Sequence, residues 1–215
     1  MPTITIQVQA GGNDVYHHRG TFHHFHADSV LFAAGYAGAL EQQASSTARF
    51  LNVLLPQGAT IYLAVLKIVS RIPASGTVCR TRVFAEAADD AGQIADDAAW
   101  HTARNAKTAA TVDWTVPPFL ADGINTSPDF AAVIQEVVNR PGWVSGNAIN
   151  IFWDDEDNQS DIGAYRPGRA YEYEGGPGDA PVLEITYGYP VGTATGVEGG
   201  FGSSLAVAPG RHGAY

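Results

Sequence analysis

Residues 3–9, TITIQVQ, set Ile4, Ile6 and Val8 on one side of an extended chain and Thr3, Thr5, Gln7 and Gln9 on the other. This is a period of two, the spacing of a half-buried β-strand. Comparable patterns return at 59–69, 78–85, 110–114, 148–153 and 181–187, separated by clusters such as LPQGAT, IPASGT and GWVSGN. Many short strands divided by Gly, Pro and Asn turns predict a sandwich or barrel. Residues 1–187 therefore read as one all-β domain, a jelly-roll-like antiparallel β-sandwich whose residues 1–47 carry divergent N-terminal strands and a histidine-rich hairpin.

One segment breaks the period. In SPDFAAVIQEVVNRPGW, residues 127–143, Phe130, Val133, Ile134, Val137 and Val138 recur at helical spacing. The stripe predicts a helix over about residues 128–139 with one apolar face. Ser127 suits the N-cap, Pro128 the first turn and Asp129 the positive end of the dipole, while Arg140 before Pro141 closes the last turn. A single helix in a β chain most simply covers an open end or edge of the sandwich.

The chain has 215 residues, 45% of them hydrophobic and 16% charged, with 24 glycines and 12 prolines. That is the composition of a globular, turn-rich protein long enough to bury a core without covalent staples. A net charge of −10 opposes binding to nucleic-acid backbones and anionic membranes, so neither is an expected partner. Cys79 is the single cysteine, so no internal disulfide forms. Cys79, Thr81, Val83 and Ala85 alternate with Arg80, Arg82, Phe84 and Glu86, which reads as a buried structural thiol rather than a nucleophile. The start, MPTITIQVQ, lacks the basic and apolar regions of a secretory signal, and no run approaches the roughly 18 apolar residues of a membrane span. The expectation is a chain made and assembled in the cytoplasm.

Five of the seven histidines fall within residues 17–26, in VYHHRGTFHHFHAD (15–28). Strand alternation puts His24 and His26 on one face, where His17 or His18 from a paired strand could complete a transition-metal site. Adjacent histidines, however, point to opposite faces, and Tyr16, Phe22 and Phe25 interleave with them. The favoured reading is a subunit-contact hairpin made by His17, His18, Phe22, His23 and Phe25, which protonation near pH 6.5 would loosen. The glycine-rich segment 188–215, with eight glycines in 28 residues, needs neighbouring chains to fix its path; Phe201 and Tyr215 are its candidate contacts.

The acidic loop DDEDNQSD, residues 154–161, offers Asp155, Asp157 and Asp161 to a calcium ion, with oxygens from Asn158 and Gln159. An EF-hand loop starting at Asp155 would need Gly and Glu where Ser160 and Arg166 stand, so a solvated acidic loop is the simpler reading. Ca²⁺ is the alternative to no cofactor at all. Trp100, Trp153, Tyr165, Tyr171 and Tyr173 could stack on sugar rings if exposed, or fill the core if not. No paired-carboxylate, GxSxG, Walker, HExxH or CxxC arrangement is present, and a non-enzymatic protein is expected.

Read in order, five stretches form one pattern: ARFLNVLLPQGATIYLAVLKI (48–68), VCRTRVFAEAADDA (78–91), RNAKTAATVDWTVPPF (104–119), SPDFAAVIQEVVNRPGWVSGNAINI (127–151) and GRAYEYEGGPGDAPVLEITY (168–187). Together they resemble β-sandwich modules of the DNRLRE-type and galactose-binding-like carbohydrate-binding kind, copies of which occur among structural proteins of tailed bacteriophages. The resemblance implies a virion structural protein, such as a head decoration, fibre or tail component, contacting other virion proteins, copies of itself and a cell-surface glycan. The competing implication is a secreted carbohydrate-binding module of a larger polysaccharide-active protein, working outside the cell.

Overall fold

The first strand lies beside the last. β1 (Thr3–Gln7) pairs antiparallel with β12 (Val182–Gly188), Ile4 opposite Ile185 and Ile6 opposite Leu183. The alternation of TITIQ thus finds a matching alternation in VLEITYG, whose Leu183, Ile185 and Tyr187 are buried. The computed structural model describes residues 1–19, 24–37, 42–74, 78–155, 159–173 and 177–190; the glycine-rich segment from 191 onward lies outside them.

β12 pairs in turn with β6 (Thr60–Val69), and β6 with β9 (Ile124–Thr126), giving a four-stranded sheet in the order β1, β12, β6, β9. A second, eight-stranded sheet holds β2 (Asp14–Arg19), β3 (His24–His26), β4 (Leu31–Ala37), β5 (Gln42–Phe50), β7 (Cys79–Ala85), β8 (Val112–Val116), β10 (Ile149–Asp154) and β11 (Tyr165–Arg169). Every strand pairing among the described residues is antiparallel. The protein is an all-β sandwich, with about 45% of the described residues in strands and 12% helical.

The main core fills the space between the sheets. Trp153 occupies its middle with Phe32, Trp114 and Phe119, ring centroids 5.5–6.3 Å away, and its indole N–H donates to Thr81 Oγ1. Cys79, Val83 and Ala85 face the same core, as the alternation of β7 predicts.

α2 (Ala131–Val138) buries Val133, Ile134, Val137 and Val138, the apolar stripe read from sequence. It starts three residues later than expected, with Phe130 as its N-cap and no side-chain cap. The physical reason is a competing demand from the edge of β6. Beyond the short β9, Ser127 Oγ accepts the Leu66 N–H, Asp129 Oδ1 the Ala64 N–H and Gln135 Oε1 the Ile61 N–H. Ser127, expected to cap the helix, thus serves the open strand edge, and Asp129 Oδ1 serves both, since it also accepts the Ala131 N–H at 2.9 Å; covering the edge is the role expected of this segment.

A second helix was not expected. α1 (Asp97–Asn105) is capped by Asp96, whose Oδ1 accepts the Ala99 N–H at 2.8 Å. Asp97 in its first turn and Arg104 in its last complement the helix dipole. α1 lies on the outer face of the larger sheet, where Trp100 and Ala103 join Val15, Phe84, Ile94 and Phe152 in a separate small core. β10 is consequently buried on both faces: Ile151 and Trp153 point inward, while Phe152 stacks on Phe84 at 5.0 Å beneath α1.

Candidate functional site

The histidine-rich hairpin forms. β2 pairs with β3 in the register Tyr16 to His26, His17 to Phe25 and His18 to His24, and β2 pairs along its other edge with β5. Directly opposed residues share a face, so the ribbon sorts its rings into two sets. Tyr16, His18, His24 and His26 lie on one side; His17 and Phe25 lie on the other, under α1.

The first set is a ladder of rings. Tyr16 meets His18 edge-on at 4.2 Å between centroids, His26 lies 5.9 Å from both His18 and His24, and it stacks on Tyr16 at 6.2 Å. His24 is exposed, His18 and His26 are half-buried, and Tyr16 is buried with its hydroxyl 3.0 Å from that of Tyr165.

His17, expected at the contact surface, is fully buried. Its imidazole lies flat on the Trp100 indole, with centroids 3.8 Å apart and planes 4° apart. His17 Nε2 is 2.7 Å from Asp97 Oδ1, and His101 Nε2 is 3.7 Å from Asp97 Oδ2. Asp97 and His101 sit one helical turn apart, with side chains 50% and 42% exposed, so the cluster opens to solvent on the α1 side. Burial lowers the His17 pKa to about 4 in spite of the carboxylate beside it. Near neutrality the ring is uncharged and its Nε2–H donates to Asp97, which leaves the buried Nδ1 without a hydrogen-bond partner among the described residues. Protonation near pH 6.5 is therefore not a property of this histidine.

Next to the cluster, on the same outer face, lies a buried carboxylate. Asp154 accepts from Arg19 at 2.6 Å, from Ser45 at 2.7 Å and from Arg104 of α1. Arg19 also donates to the Asp155 carbonyl at 2.7 Å. α1 is thus tied to the sheet at both ends, through Asp97 to His17 and through Arg104 to Asp154.

Of the calcium candidates, Asp155 is buried, and burial pushes its pKa up. Asp161 is exposed, and its Oδ2 accepts the Val78 N–H. Asp157 lies outside the described residues, as do Phe22, His23, Phe201 and Tyr215. Trp100 and Trp153 are core residues rather than sugar platforms. Tyr173 is half-buried with the Arg169 guanidinium 4.5 Å from its ring centre, and Tyr171 packs on the main core.

Among the described residues, His17, Asp97 and His101 form the group of three donors close enough to share one ion, their ligand atoms all within 4.8 Å of one another. The sequence suggests His17 both as a contact residue and as a metal ligand beside His24 and His26, but the register puts it on the opposite face from those two, and Asp97 and His101 were passed over. The available signal was Asp97-x-x-x-His101, an i, i+4 pair that shares a helix face; it carries meaning only once 97–105 is known to be helical. No protein-family model matches the chain, and no curated protein is detectably similar to it in sequence.

Proposed function

We propose that the protein is a non-enzymatic structural component of a virion, of the kind that tailed bacteriophages place on a head, fibre or tail, and that it meets copies of itself or neighbouring virion proteins through the β2–β3 ribbon. The ring ladder Tyr16, His18, His26, His24 is the observation that carries this reading. Such rings offer a broad amphipathic contact surface with little side-chain entropy to lose. β3 is also a three-residue edge strand paired along one side only among the described residues, where a neighbour can continue the sheet. The resemblance of residues 48–187 to sandwich modules of phage structural proteins adds to the proposal. A protein of this type is made in the host cytoplasm and works outside it.

The competing proposal is a carbohydrate-binding module of a larger secreted protein. Size-exclusion chromatography with light scattering, run beside a glycan array, separates the two. The structural reading expects concentration-dependent association without tight glycan binding. A monomer at every concentration that binds one glycan tightly overturns it.

A further inference from the structure

We propose that His17, Asp97 and His101 form a site for one divalent transition-metal ion of the zinc class, and that the ion pins α1 to β2. The donor set selects the ion: two imidazoles with one carboxylate suit Zn²⁺, Co²⁺ or Ni²⁺ rather than the all-oxygen preferences of Ca²⁺ and Mg²⁺. The geometry is close to what such an ion requires. With metal bonds of about 2.0–2.1 Å, neighbouring ligands of a tetrahedral centre stand about 3.3 Å apart. Here Asp97 Oδ1 lies 2.7 Å from His17 Nε2, Asp97 Oδ2 lies 3.7 Å from His101 Nε2, and the three donors lie within 4.8 Å of one another, so side-chain shifts on the order of half an ångström to an ångström bring them to the spacing of a shared ion.

The three ligands differ in rigidity in a useful way. The His17 ring is clamped in place by the parallel Trp100 indole, whereas Asp97 and His101 are half-exposed on the helix. Their exposure also gives an ion a route in from solvent and leaves a fourth position for water. On binding, the His17 proton moves from Nε2 to Nδ1 so that the Nε2 lone pair faces the metal. Both imidazoles stay neutral and Asp97 stays ionised, so the loaded site carries a net charge of +1.

One feature limits affinity. A metal-bound imidazole ordinarily donates its other N–H to a carboxylate or carbonyl, and the loss of such a partner weakens binding by roughly 10- to 100-fold. His17 Nδ1 has no such partner among the described residues. The site should therefore bind more weakly than a fully supported structural zinc centre and exchange its ion with chelators readily.

The test uses the tag-free full chain stripped by a chelator. Co²⁺ is titrated in while the visible absorption of a four-coordinate nitrogen–oxygen centre and the quenching of Trp100 fluorescence by the bound ion are followed; Zn²⁺ is then added. The proposal expects one Co²⁺ per chain, displaced by Zn²⁺, with affinity at least tenfold lower in His101→Ala and in Asp97→Asn. It also expects Zn²⁺ to raise the melting temperature of the wild type but not of His101→Ala. A variant with His18, His24 and His26 all changed to Ala should bind as the wild type does. Absence of stoichiometric binding, binding undiminished in His101→Ala, or binding abolished by the triple surface variant each overturns the proposal.

Discussion

The imidazole of His17 lies parallel to the indole of Trp100 at 3.8 Å, and through this contact a strand of the larger sheet holds a helix that covers its outer face. The sandwich has in effect a second, smaller core, closed by one aromatic side chain and by charged contacts at its rim. Several consequences can be measured.

Trp100→Ala should cost about 3–5 kcal/mol, the usual range for removing a fully buried large aromatic. The change removes the lid over Phe152 and Phe84 and exposes His17. Urea unfolding checks the magnitude, and hydrogen exchange should show α1 losing protection before the main core does.

Asp154 is buried among Arg19, Arg104 and Ser45, so Asp154→Ala should destabilise by about 3 kcal/mol, at the low end for breaking a buried pair because both arginines keep some access to water. Arg104→Ala should cost less, since Arg19 and Ser45 still serve the carboxylate. A double-mutant cycle on Asp154 and Arg104 should return a coupling of about 1 kcal/mol or more; a value near zero would mean the helix is not anchored there.

How much of this was legible in the sequence follows from the range of the interactions concerned. Strands β1, β6, β7, β8, β10 and β12 and the α2 stripe were legible because period two and period 3.6 are local, whereas β4, β5, β9 and β11 were not individually placed. The start of α2 was misplaced because Ser127 and Asp129 are used by the edge of β6, some sixty residues away in the chain, and a cap cannot be told from an edge staple without the fold. α1 was missed because only Trp100 and Ala103 of its nine residues are buried, too few to make a stripe. With α1 hidden, alternation could separate His17 from His18 but could not say which face was covered.

Asp14 gives a pH signature. Its Oδ2 accepts the Tyr171 N–H at 2.7 Å, while Oδ1 has no partner among the described residues. Burial pushes its pKa up from 3.8 to about 7, with the charge of Glu172 adding to the rise. Between these values the unfolded chain has released the proton and the folded chain has not, so this group's contribution to stability falls as pH rises from about 4 to 7. At about 1.4 kcal/mol per pKa unit the loss approaches about 4 kcal/mol. His17, with its lowered pKa, acts in the opposite direction in much of the same window. The measurement is therefore the difference in unfolding free energy between wild type and Asp14→Asn: the wild type should lose ground to the variant from about pH 4 to about pH 7, and the difference should level off above that. A difference independent of pH would refute the assignment.

Cys79 is fully buried, and burial raises its pKa to about 11. In the folded protein it should not react with a thiol reagent at pH 8, and its labelling rate should follow the urea unfolding curve. Rapid labelling under native conditions would contradict this packing.

Neighbouring chains are proposed to meet this sandwich on the ring-bearing face of the β2–β3 ribbon. Sedimentation equilibrium of the full chain and of the variant with His18, His24 and His26 changed to Ala tests this most directly. The wild type should self-associate, and the variant at least tenfold more weakly, while the variant still unfolds in one cooperative transition. A wild type that stays monomeric at all concentrations, or association unaltered in the variant, would contradict it.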